Sequence, residues 1–192
     1  MGRQIHYRSL AWDILRAVGS GAVVASLFVA PNIGLALAPF LRVDAPYERR
    51  EWNRRRVQAA LRRLAERRLV RFEERGKNTY IVITEFGKRR LRQFDFETLT
   101  LPERPRRWDE KWRMVVFDIP EKQKRARMAL SAKLTQIGML ALQRSVYVYP
   151  HPCEDEVDFL CQFLDIDRYT HVIEAASLGT AEGRTRQRFG LL

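Results

Sequence analysis

VVFDIPEKQKRARMALSAKLTQIGMLALQRSVYVYP, residues 115–150, changes its periodicity twice within 36 residues. Val115, Val116 and Phe117 are β-branched and aromatic and run into Pro120, a strand that must stop. Ala126, Leu130, Leu134 and Ile137 then recur at helical spacing, which predicts a helix laid on an apolar surface over residues 121–137. Residues 139–151 return to strand character in two pieces. Working outward, WRMVVFDI at 112–119 is the full first strand, CEDEVDFLCQFL at 153–164 a second helix and THVIEAASL at 170–178 a last strand. The order β-α-β-β-α-β is that of a ferredoxin-like fold.

Upstream the pattern is different. Residues 53–67, NRRRVQAALRRLAER, place Val57, Ala60, Leu61 and Leu64 at i, i+3, i+4 and i+7, the stripe of a helix docked on a core, with Asn53 as its N-cap. The positions left over carry Arg54, Arg55, Arg56, Gln58, Arg62 and Arg63, side chains able to reach phosphates and base edges. LVRFEE and TYIVIT, residues 69–74 and 79–84, read as a hairpin whose tip holds Arg75, Gly76, Lys77 and Asn78. Thr84 caps a helix over 85–94 whose Lys88, Arg89, Arg90 and Arg92 extend the basic character. Two further helices are expected at 8–29 and 33–41. Three helices followed by a basic-tipped hairpin form the winged-helix pattern, in which the third helix enters the major groove and the hairpin tip contacts backbone or minor groove. The expected class is therefore α+β, a winged helix-turn-helix at 1–94, a Pro-rich linker at 95–108 with its boundary near Pro105, and a ferredoxin-like domain at 109–192.

Charge divides the chain the same way. Residues 1–107 hold 23 Lys and Arg against 11 Asp and Glu, and residues 108–192 hold 12 against 12, so the whole net charge of +12 lies in the first part. A basic surface concentrated in one domain is what releases counterions from a phosphate polymer, so double-stranded DNA is the expected partner. Cys153 and Cys161 lack metal or redox spacing, and His6, His151 and His171 are scattered, so all five are read as structural or surface residues in a cytoplasmic protein. Residues 17–41 carry no charge, but Pro31-Asn32, Gly34 and Pro39 divide them into pieces too short for a bilayer, and no membrane association is expected.

The FDIP…G…QRSVYVYP combination of residues 117–150 resembles the core of the second core CRISPR-associated protein and, more closely, the corresponding domain of PaaX-type transcriptional repressors, where it follows a winged helix. The resemblance covers roughly residues 110–178 and implies a homodimeric transcriptional repressor. From the CRISPR relatives it implies a metal-binding or nuclease role for the aspartate that ends the first strand, Asp118 here, with Mg²⁺ shared between two chains. The residues themselves give another reading, in which Asp118 caps the helix after Pro120 or anchors Arg144 and the chain has neither catalytic residue nor cofactor. A metal-dependent nuclease or an adaptation-type subunit is thus the alternative to a regulator. PaaX repressors carry a further C-terminal helical region and respond to an aryl-CoA thioester; this chain ends at Leu192, so an effector site of that type is not expected.

Overall fold

The computed structural model describes residues 10–20, 54–75, 78–102 and 108–191. They fall into two compact units, residues 1–95 and 96–192, of mixed α+β structure.

In the first unit α1 (Leu10–Gly19) and α2 (Arg54–Glu66) pack together, followed by the antiparallel pair β1 (Val70–Arg75) and β2 (Asn78–Ile83) and then α3 (Glu85–Thr98), whose last three residues, from Phe96 on, belong to the second unit. The expected stripe is the core: Val57, Ala60, Leu61 and Leu64 are buried against Ile14, Leu15 and Val18 of α1 and against Leu69, Val70 and Ile81. Burying four such side chains is worth about 1.5–3 kcal/mol for each large one, which is what holds so arginine-rich a helix in place. α2 ends on Arg68 in the left-handed region at φ 57°, where the Leu69 amide donates to Leu64 O at 2.9 Å. The hairpin register runs from Val70 opposite Ile83 to Arg75 opposite Asn78, so each strand reaches one residue nearer the tip than expected. α1 gives way to a turn at Ser20, within the expected helix 8–29; residues 8, 9 and 21–29 of that helix, the helix 33–41, Asn53 and the tip residues Gly76 and Lys77 lie outside the described residues, as does the expected boundary at Pro105.

α3 does not stop at residue 94 as expected but continues to Thr98, into the stretch read as linker. The added turn has partners that no local pattern announces. The Phe96 ring stacks on Phe163 at 4.5 Å, and buried Lys133 donates from Nζ to Glu97 O at 3.1 Å, a cation placed at helix-terminal carbonyls. Burial pushes the Lys133 ammonium down from the usual lysine range.

The second unit is a four-stranded antiparallel sheet made of β3 (Trp112–Phe117), β4 (Leu140–Gln143), β5 (Val146–Tyr149) and β6 (Thr170–Ala175) in the order β4-β5-β3-β6. α4 (Lys124–Gln136) and α5 (Glu154–Leu164) connect the strands in the β-α-β-β-α-β order. Leu130 and Leu134 of α4 and Val157 and Leu160 of α5 share one core with Trp112, Val115, Phe117 and Val148, and Ala126 and Ile137 pack at its edge. Three boundaries differ from expectation. The first strand ends at Phe117, the helix after it opens with a 3-10 turn at Glu121–Gln123, and the last strand ends at Ala175. After the last strand lies an unexpected helix, α6 (Glu182–Phe189), whose Phe189 meets the rings of Trp112 and Tyr149 with centroids 6.2 and 5.8 Å away. Its Glu182 carboxylate accepts from the Leu178 amide at 2.7 Å, from Arg186 Nε at 2.9 Å and from Trp112 Nε1 at 3.2 Å, donors that in this order hold its pKa down to about 2.

Arg113 is the unusual member of this core, 4% exposed in the central strand. Its guanidinium meets Asp109 at 2.7 Å, Glu174 at 3.3 Å and Glu154 at 3.6 Å. A buried cation without such partners would cost several kcal/mol, about 3–5 when a pair is broken.

Candidate nucleic-acid interface

The basic residues of the first unit are displayed by the periodicity of their elements. With Val57, Ala60, Leu61 and Leu64 turned into the core, Gln58, Arg62 and Arg63 are left exposed on α2. Arg54, Arg55 and Arg56 form the first turn of the same helix. Arg75 and Asn78 close the hairpin ladder as its last pair, and Lys77 lies outside the described residues; nothing is described of the side chains of Arg54, Arg55, Arg56, Arg75 and Asn78. On α3, Lys88, Arg89, Arg90 and Arg92 are exposed. Arg90 is engaged over the Trp12 ring at 5.8 Å, and Lys88 pairs with Glu85 at 2.7 Å, which lowers the Glu85 pKa.

Among the described residues of the first unit, sequence reasoning missed the exposed cations Arg67, Arg68 and Arg71, and also Arg16 on α1. Arg71 was legible, because the alternation of Val70 inward and Arg71 outward is that of a half-buried strand. Arg67 and Arg68 follow the last turn of α2, where no period applies. Arg71 is paired with Glu73 at 2.6 Å, so it is partly neutralised.

What places α3 against the hairpin is a junction of four residues, Arg68, Leu69, Thr84 and Gly87. Thr84 Oγ1 donates to Arg68 O at 2.7 Å and accepts from the Gly87 amide at 2.9 Å, which is the N-cap the sequence predicts. The Thr84 amide donates to Leu69 O at 3.0 Å. Gly87 lies so close to that carbonyl that a Cβ there would stand 2.0 Å from Leu69 O. At the far end Trp12 stacks on Phe94 at 4.1 Å and Arg16 pairs with Asp95, so α3 is tied to α1 as well.

In the second unit, Asp118 follows the end of β3 and is exposed. Its backbone is pinned on two sides, since the Phe117 amide donates to Ser145 O at 3.1 Å and the Asp118 amide to Tyr169 O at 2.9 Å. Neither structural role expected of its carboxylate is found. The 3-10 turn and α4 are capped by Pro120 and Gln123 without any side-chain cap bond, and no ion pair joins Asp118 to Arg144. Pro120 provides the reason, because it begins a separate 3-10 turn and moves the start of the α-helix six residues beyond Asp118. Asp118 and Arg144 instead line one open cavity of about 650 Å³ together with Phe117, Ile119, Arg127, Met128, Ser131, Ser145 and Tyr147. One carboxylate beside two guanidiniums is a poor donor set for Mg²⁺, which seeks oxygen ligands and little positive charge nearby. Among the described residues no group of three or more His, Cys, Asp or Glu could hold a metal ion.

Cys153 and Cys161 are both buried and unpaired, and burial pushes the Cys153 thiol up to about 12. They are structural, as read from their spacing. Among the described residues no helix is long and apolar enough to cross a membrane, and residues 21–41 lie outside them.

Comparison with curated proteins returns no match. The model of the PaaX protein central Cas2-like domain matches residues 105–187, a stretch that contains all four strands of the second unit, both connecting helices and most of α6. The resemblance drawn from the FDIP and QRSVYVYP residues is the one this match supports: residues 105–187 of the chain are similar to the PaaX protein central Cas2-like domain.

Proposed function

We propose that the protein is a DNA-binding transcription regulator, acting as a repressor, in which the first unit is a winged helix that holds duplex DNA and the second is a ferredoxin-like domain that pairs two chains. The observation that carries this reading is the division of α2 into two faces: Val57, Ala60, Leu61 and Leu64 are fully committed to the core, so Gln58, Arg62 and Arg63 are presented together to solvent. Lys88, Arg89 and Arg92 on α3 add charge in the same unit. Guanidinium and amide groups on one helix suit base edges as well as phosphates, since Arg reads guanine and Gln reads adenine in the major groove. The strand order of the second unit is that of ferredoxin-like folds, and its charge neutrality suits self-association better than binding a polyanion.

Selection of bound duplexes from a random pool tests both parts. The expected product is an enriched palindrome whose half-sites lie about one helical turn, ~34 Å, or a multiple of it apart. Failure to enrich any sequence would contradict specific binding, and a single asymmetric half-site would contradict the paired arrangement.

A further inference from the structure

The cavity beside Asp118 is left unexplained by DNA binding. Its floor is apolar: Phe117, Ile119 and Tyr147 are buried, and the Phe117 and Tyr147 rings lie 6.0 Å apart with 21° between their planes. At its rim Met128 is 62% exposed, a large apolar side chain with no cover. Ser131 and Ser145 add hydroxyls. Its volume falls within the range of small-molecule sites, roughly 300–1,000 Å³.

Its charges narrow the ligand. Arg127 is already engaged, donating to Glu121 at 2.7 Å and to Ile119 O at 3.2 Å. Asp118 and Arg144 are different, for they line the same cavity, do not pair with each other, and carry no side-chain partner among the described residues. A simple anion would meet Arg144 but be repelled by Asp118, and a simple cation would meet the reverse. A molecule that carries both charges satisfies both groups, with its apolar part over Met128 and the two rings.

We infer that this cavity is a binding site for a zwitterionic small molecule of the apolar amino-acid class, its ammonium on Asp118 and its carboxylate on Arg144. The site is built entirely from the second unit and does not depend on the DNA reading.

Calorimetric titration of the full chain, without DNA, with L-leucine, L-methionine and L-phenylalanine tests it. L-leucine is compared with 3-methylbutylamine and 4-methylpentanoate, which keep its side chain and one charge each. The amino acids are expected to bind at least about tenfold more tightly than either single-charge counterpart, the size of one charge-assisted hydrogen bond. Asp118→Asn should erase the advantage over 4-methylpentanoate, and Arg144→Gln the advantage over 3-methylbutylamine. Both residues are exposed, so unchanged thermal melting of the variants will confirm that only the site is altered. Met128→Ala should weaken all three amino acids. Absence of binding by the three, equal binding of a single-charge counterpart, or undiminished L-leucine affinity in both charge variants would overturn the inference.

Discussion

Gly87→Ala sets two physical effects of opposite sign against each other. Alanine is the better helix former by about 1 kcal/mol, so local propensity predicts that the variant is more stable. The structure predicts the reverse. A Cβ at position 87 would stand 2.0 Å from Leu69 O and 2.9 Å from Ile83 Cγ1, so relief of the first clash alone requires a displacement of about an ångström in backbone, not side chain. Leu69 O cannot move freely, because it accepts from the Thr84 amide at 3.0 Å and shares with Arg68 O the single proton of Thr84 Oγ1, which lies 3.2 Å away. Disturbing these bonds costs about 1 kcal/mol each, and the overpacking itself about 1–3 kcal/mol. After the propensity gain is subtracted, the expected loss is about 2–4 kcal/mol. Urea unfolding followed by circular dichroism measures it, and hydrogen exchange should show weakened protection in α2 and the hairpin but not in the sheet of the second unit. Unchanged or greater stability would refute the close approach of α3 to the Leu69 carbonyl.

Three further outcomes follow from the same geometry. Because Glu182 is held to about 2 in the folded chain, below its usual value of 4.5, its contribution to stability is present above pH 4.5 and fades as pH falls toward 2. Glu182→Gln should therefore lower stability at pH 7 by about 1–2 kcal/mol and flatten the acid limb of a stability-against-pH curve. Cys153 and Cys161, buried and with raised thiol pKa values, should resist a thiol reagent at pH 8 in the native protein and react in urea; fast native reaction would place them at the surface. Arg68→Gly, at the left-handed residue that ends α2, should raise stability by about 0.5–1 kcal/mol, read as a higher urea midpoint.

Much of this architecture was legible because each signal is local. The spacing of Val57, Ala60, Leu61 and Leu64 fixes both the existence of α2 and the direction in which its arginines face, and the alternation around Val70 and Ile81 identifies the hairpin. The β-α-β-β-α-β order was readable from the changes of period between Trp112 and Ala175. What was not legible depends on distant partners. α6 has eight residues of which only Thr185 and Phe189 are buried, too thin an apolar face to stand out, and it is held by Glu182 reaching Trp112 seventy positions away. The extra turn of α3 exists because Phe163 and Lys133 meet it. Gly87 reads as an ordinary helix interior until the Leu69 carbonyl is placed beside it. Asp118 looked like a cap because it precedes a helix, but Pro120 and the 3-10 turn separate the two.

The central claim is that the exposed face of α2 meets DNA phosphates and bases. Its most direct measurement is the affinity of wild type and of the Arg62→Ala/Arg63→Ala double variant for one duplex across a salt series. Both arginines are exposed and without described partners, so the variant should fold normally. Weaker binding is expected, with a shallower dependence of log K on log salt, by about 0.9 for each phosphate that is no longer neutralised. An unchanged affinity with an unchanged slope would contradict the claim.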